Sequence, residues 1–354
     1  MLQTTKMKNL LLLGLIFLIT SCKSNIYTDN NNLQKIKIDT LLQGKFSIRA
    51  ILIQNNKVYF GADNSKIGFV DWTYPTQNSL KTLDTLKTEF RSIASNSKSI
   101  FALNVANPAK LYKISKDFNQ VEIVYSESHE KVFFDSMQFW NVNEGIAMGD
   151  PINDCFNIII TRDSGKTWNK VSCNDLPKLE EGEAAFAASN TNIVIKNDNT
   201  WIVSGGKKSR IFHSADKGLT WKAYNTPIIE GQSMTGIFTA DFYNETIGIV
   251  SGGDYEKPNQ NFKNKAITKD GGTTWSLISE NQSFGYASCI QFGPNSNGNK
   301  IISVGANGIF FSADMGQNWT QISTDPTLYT IRFINSKTAI AAGKNKIIRI
   351  KLSN

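Results

Sequence analysis

The sequence predicts an all-β fold: a seven-bladed β-propeller of four-stranded antiparallel blades, the last blade closed by an N-terminal strand. Three observations in the 354-residue chain carry that expectation. An octapeptide recurs as TRDSGKTW from Thr161, SADKGLTW from Ser214, TKDGGTTW from Thr268 and SADMGQNW from Ser312. Between the copies, short stretches alternate apolar and polar residues and are cut by Gly and Asn. No stretch carries a helical period.

The octapeptide sets the period. Its aspartates, Asp163, Asp216, Asp270 and Asp314, stand 53, 54 and 44 residues apart, and steps of 46 back from Asp163 reach Asp117 and then Asp71. Repeats of that length are stacked supersecondary units. Each unit opens on an alternating stretch, such as SIRAILIQ, FRSIAS, FDSMQFW, GEAAFAAS, GIFTADFY, YASCIQF or YTIRFIN. A second stretch ends in glycine, a third runs into the octapeptide and a fourth leaves it. The seventh unit ends after KIIRIKL, its third strand, so KIKIDTLL near the N-terminus is expected as its fourth. Such closure removes the exposed edges of a radial sheet array.

The octapeptide therefore reads as a hairpin tip between the third and fourth strands. Gly165, Gly218, Gly272 and Gly316 supply the positive φ of a tight turn. The aspartates accept backbone N–H bonds, and Trp168, Trp221, Trp275 and Trp319 pack between neighbouring units.

The chain's start reads as a leader. MKNLLLLGLIFLITSC, Met7 to Cys22, has a lysine, an apolar run and small residues before a cysteine, as secretory signals do. Its apolar run is too short to span a bilayer comfortably. Ile19-Thr20-Ser21-Cys22 resembles a bacterial lipobox, which implies cleavage before Cys22 and lipidation there. Lys23 after the cysteine favours the outer membrane of the cell envelope, on a side the sequence leaves open. The expected organisation is residues 1–21 as signal peptide, 22–32 as tether and 33–354 as propeller. Removing residues 1–21 takes away Lys6 and Lys8 and no acid, so the formal charge falls from +8 to +6. The basic residues are scattered, which argues against a nucleic-acid groove, and a monomer is expected.

Three further cysteines and two histidines, in no CxxC or HxxxH pairing, give no metal site, and no phosphate-cradling fingerprint precedes a helix, so no cofactor is expected. Cys155 lies eight residues before Asp163 and Cys173 eight after Gly165. In an antiparallel hairpin they would face each other within reach of a disulfide, or be two ordinary strand residues. Cys289 should be a buried free thiol.

Ligands are expected on the face opposite the octapeptides, where loops lead into the first strand and join the second to the third. Arg49, Arg91, Lys207, Tyr286 and Tyr329 are the candidate ligand-binding residues there. Asp135, Glu183, Asp150 and Asp254 are candidate catalytic carboxylates. Guanidinium groups suit carboxylates because they donate two parallel bonds. Long loops, DPINDC and GDYEKPNQNFKNK, should wall one side.

The octapeptide resembles the Asp-box (BNR) repeat of sialidases, sortilin ectodomains, xyloglucanases and photosystem II assembly factors. Residues 46–354, with FWNVNEGIAMGDP, GEAAFAASN and VSGGDYEKPNQN around intact boxes, look like a family of secreted bacterial seven-bladed BNR propellers related to those assembly factors. The resemblance implies a structural hairpin remote from the ligand face. Two functions follow as expectations: a lipid-anchored noncatalytic scaffold binding a protein or glycan, or a sialidase-like glycan hydrolase. Sialidases resemble a six-bladed design, and only SIRA stands here for their Arg-Ile-Pro stretch.

Overall fold

The structure, a computed structural model, describes residues 35–353. The leader, Cys22 and the tether lie outside the described residues. Apart from one 3-10 turn, Cys173–Asp175, the regular elements among the described residues are β-strands. Middle strands such as Ser99–Asn104 and Asn157–Thr161 are buried at every residue, because a neighbouring sheet covers each face. Fourth strands such as Asn78–Thr82 and Val121–Glu127 are largely exposed.

Hydrogen bonding sorts the strands into six antiparallel sheets. Four are four-stranded meanders, opening on Phe90–Ser95, Phe134–Phe139, Ile193–Lys196 and Ala287–Phe292. Two have six strands. In one, Lys35–Gln54 pairs with Thr338–Ser353 from Lys35↔Ser353 to Ser47↔Lys344, and beyond these lie Lys57–Ala62 on one side and Leu328–Asn335 on the other. In the other, Glu183–Ala184 and Gly205–Gly206 join the strand Thr235–Phe242. The sheets number six where seven repeats were expected, because the two long strands fuse the chain's first and last repeats into one hydrogen-bonded sheet.

Apolar clusters bridge successive sheets. Phe101, Leu103 and Leu111 of one sheet pack with Phe134, Met137 and Ile159 of the next, and Ile202 and Phe212 with Ile146 and Ile158. Cys289, Ile302 and Phe311 pack likewise with Ile331 and Ile350.

Each octapeptide is a type I′-like tip with two positive φ values, at Ser164 and Gly165 (67° and 74°) in the first copy. The pattern of bonds is shared. Asp163 Oδ1 accepts from Lys166 N and Thr167 N at 2.9 Å, and its Oδ2 accepts from Thr167 Oγ1 at 2.7 Å. Asp216, Asp270 and Asp314 accept in the same way from Thr220, Thr274 and Asn318. The first residue of each copy, Thr161, Ser214, Thr268 or Ser312, accepts the box glycine's N–H through its hydroxyl. Trp221, Trp275 and Trp319 donate to the carbonyls of Gly218, Gly272 and Gly316. Trp168 instead packs edge-on against Phe101 and Phe139. Asp117 and Asp71 occupy the same third-to-fourth-strand turns, accepting from Asn119 and from Thr73 and Tyr74.

One expected strand is not there. GEAAFAAS forms strand only at Glu183–Ala184, in the sheet of Thr235–Phe242, and the four-stranded sheet of its own repeat opens on Ile193–Lys196. Residues 185–192 instead run along the axis. Asn190 Nδ2 donates to Ile93 O and its Oδ1 accepts from Met137 N, while Ser189 Oγ donates to Ser288 O. Thr191 Oγ1 bonds Thr239 Oγ1, Thr330 Oγ1 donates to Ser189 O, and Arg49 Nη1 donates to Ala188 O. A segment that touches the innermost strands of all the surrounding sheets must lie on the axis they share. The physical reason is composition: Ala184–Asn192 has one bulky side chain, Phe186, so it suits a narrow channel better than a strand packed on both faces.

Candidate binding site

The loops opposite the octapeptide tips enclose a cavity of about 460 Å³, lined by Arg49, Arg91, Asp150, Phe186, Phe238, Tyr255 and Tyr286 among others. Through Arg49, Tyr255 and Tyr286 it continues into one of about 370 Å³ that includes Tyr329. Through Asp150, Ala184 and Ser233 it meets one of about 710 Å³ bordered by Glu180, Glu181 and Glu183.

The floor is aromatic. Phe186 stacks on Phe238 with centroids 3.9 Å apart, and Tyr286 stands edge-on to Phe238 and to Tyr255. Phe186 reaches this floor because its segment leaves the sheet for the axis. Tyr286 is buried, which holds its phenol protonated well above the ordinary range.

Two guanidinium groups stand over that floor. Arg49 lies 4.3 Å over the ring of Tyr329, and its one hydrogen bond, to Ala188 O, is a long 3.4 Å. Arg91 is aimed by Glu89, whose Oε2 accepts from its Nε at 2.6 Å. Among the described residues the terminal nitrogens of Arg91 have no other partner, so both arginines keep donors for a ligand.

The four candidate carboxylates part company. Glu183 is fully engaged: Oε1 accepts from Ser204 Oγ and Arg210 Nε, and Oε2 from Arg210 Nη2 and Glu180 N. Asp254 caps its own turn by accepting from Glu256 N and Lys257 N, with Lys257 Nζ 3.7 Å away. Neither is a free acid. Asp135 is wholly buried, and neither of its oxygens has a hydrogen-bond partner. Burial raises its pKa far above the carboxylate range and Asp150 adds to this; Arg91 opposes it, and the Asp150 amide, itself bonded to Phe133 O, opposes it weakly. Asp150 lines the cavity, accepts from Ala185 N at 2.8 Å, and is pushed by burial up to about 6.

Lys207 stands exposed above Gly182 with Glu181 3.5 Å away, outside the cavity lining. Arg332 is spent on the axis, donating to Ser189 O, Asn190 O and Ile331 O. Cys155 and Cys173 form a disulfide with Cα atoms 5.6 Å apart, joining the two loops that border the cavity of about 710 Å³. Cys289 is a buried free thiol. No group of metal-ligating side chains occurs among the described residues. The sequence reading missed Phe186, Phe238, Tyr255, Met234 and Glu89. The only available signal was the small-residue run around Phe186, which breaks strand alternation.

No family model and no curated protein matches the chain. Solved structures do. One described as "YCF48 bound to D1 peptide" superposes with a TM-score of 0.63 at 14% identity, covering 90% of this chain and 97% of that one. "Structure of U3-55K" and "Crystal structure of RRP9 WD40 repeats" each give a TM-score of 0.61 at 9% identity, covering 89% and 90% of this chain and 98% and 100% of those. At such identities the likeness is one of fold, and the fold is a β-propeller of four-stranded antiparallel blades.

Proposed function

We propose that this chain is a lipid-anchored, noncatalytic propeller scaffold that binds a peptide segment of a protein partner at the cavity between Arg49 and Arg91. The observation that carries the reading is the pair of guanidinium groups with unused donors above an aromatic floor. A carboxylate beside an apolar side chain matches that surface, and peptides present both. The propeller described as bound to D1 peptide shows that this fold can hold one.

The finer architecture belongs to the same proposal. The chain counts as seven blades, the seventh being Leu328–Asn335, the two arms of Thr338–Ser353 and the start of Lys35–Gln54. What supports this count is the Leu352 N–H bond to Lys337 O, which folds Thr338–Ser353 back on itself, and the register break between Gln43 and Ser47. The octapeptides are Asp-boxes, supported by their shared bonding, and they act as architecture. Cys22 carries the lipid on an outer-membrane protein. A hydrolase would need two unencumbered carboxyls facing one opening. Of the four candidates, Glu183 and Asp254 are engaged and Asp135 is sealed.

The test is co-purification of the full-length lipoprotein from native membranes beside an Arg49→Ala/Arg91→Ala variant. The expected outcome is a protein partner retained by the native chain and lost with the variant. Equal retention by both places binding elsewhere. Cys22→Ser should release the chain from the membrane fraction, and continued membrane association would refute the anchor.

A further inference from the structure

Asp150 differs from every other carboxylate around the cavity. Glu183 is held by Arg210, Asp154 by Lys178 and Glu181 by Lys207, and Glu89 spends itself on Arg91. Glu180 and Lys131 border only the outer cavity. Asp150 is the carboxylate that lines one cavity with Arg49 and Arg91, and among the described residues it has no ion-pair partner. Behind it lies Asp135, sealed from water with both oxygens unpartnered, on the strand paired with the one that leads into Asp150. The only hydrogen bond on the Asp150 carboxyl among the described residues is the Ala185 N–H, from the segment that carries Phe186 into the floor.

Resting on the binding reading above, we infer that Asp150 is a proton-operated gate on anion affinity: the cavity accepts a carboxylate ligand when Asp150 is protonated and disfavours it when Asp150 is ionised. The charge count makes the case. With Asp150 ionised, its charge offsets one of the two guanidinium groups and repels an incoming anion. Glu89 offsets the other, so protonation of Asp150 leaves one net positive charge and removes the repulsion. Asp135 cannot take over that role because its surroundings keep it neutral. Within the Asp150 titration range, anion binding is then accompanied by uptake of a fraction of a proton, and by linkage the anion raises the affinity of Asp150 for its proton.

The test uses phenylacetate as probe, its ring suited to the floor and its carboxylate to the arginines. Its affinity for the full chain is read by ligand-observed NMR at about pH 5 and about pH 8, where a simple carboxylate is mostly ionised. Native protein should bind about tenfold more tightly at the lower pH. Asp150→Asn, which keeps the acceptor for Ala185 N, should bind with the tighter affinity at both. Asp135→Asn should keep the native pH dependence. In parallel, the Asp150 carboxyl carbon of native protein should titrate well above the ordinary aspartate range. Equal affinity at both pH values, a pH dependence that survives Asp150→Asn or vanishes with Asp135→Asn, or an ordinary Asp150 titration each overturns the gate. In all of these, binding lost in the Arg49→Ala/Arg91→Ala variant keeps the site. Absence of binding at both pH values removes the site and the gate together.

Discussion

The octapeptide tips and the axial segment are both built from short polar residues, yet they obey opposite rules. At the tips the same bonds recur copy after copy, and each aspartate is saturated from within its own turn. On the axis nothing repeats. Residues 185–192 bond to a different sheet at almost every step, and beside them lie an unpartnered Asp135 and two arginines with spare donors. Repetition here marks what holds a blade together, and the break in repetition marks what the assembled ring can do.

The contrast predicts unequal costs. Asn190→Ala should be the most damaging single change, at about 3 kcal/mol, because it strands Ile93 O and Met137 N in the core and puts alanine at a φ of 59°. Chemical denaturation measures it, and a loss no greater than at a tip would mean the axial segment is a passive filler. Asp135 supplies the next effect, with a definite sign. Its folded-state pKa is raised, so the native state keeps a proton the unfolded chain gives up near pH 4, and stability is lost as pH rises beyond that. Each unit of upward shift costs about 1.4 kcal/mol. Asp135→Leu should therefore gain on the native protein progressively as pH rises from about 4. Parallel urea midpoints across that range would show that Asp135 finds a partner in solution. One tip is worth less: Asp270→Ala should cost about 1 kcal/mol, the scale of a lost capping side chain, because its released N–H groups reach water.

Much of the periphery was legible from the residues. The octapeptide spacing located the tips, and stepping back by its period found Asp117 and Asp71 in equivalent turns although almost none of the motif survives there. Cys155 and Cys173 were legible because equal offsets from a hairpin tip place residues opposite each other. The axis was not. GEAAFAAS was read as a strand because its neighbours at the same phase are strands, and local pattern holds no trace of a segment whose partners lie as far as 143 residues away. The same limit hid the roles of the acids. Glu183 and Asp135 look alike in sequence, and only the bonds of Arg210 to one and the lack of any hydrogen-bond partner on the other's oxygens among the described residues separate an ion pair from a buried neutral acid.

The smallest effect separates the tips' electrostatics from their geometry. Burial raises the pKa of Asp163, but the Thr167 N–H and hydroxyl, with Thr161 and Lys166, together outweigh it and hold it at about 2. A depressed carboxylate stabilises the fold above its unfolded pKa and withdraws that support as pH falls through the folded value. The window for Asp163 therefore runs from about pH 4 down to about pH 2, and its solvent-facing position keeps the effect well under about 1 kcal/mol. Asp163→Asn keeps an oxygen to accept from Lys166 N and Thr167 N but carries no charge to lose. It should match the native protein at neutral pH to within a few tenths of a kcal/mol and lose less stability on acidification through that window. A variant as acid-sensitive as the native chain would assign the acid response to other depressed carboxylates, such as Asp84, held low by the Leu86 N–H and Lys110. A variant already weakened at neutral pH would show that the tip relies on charge where its four copies suggest geometry.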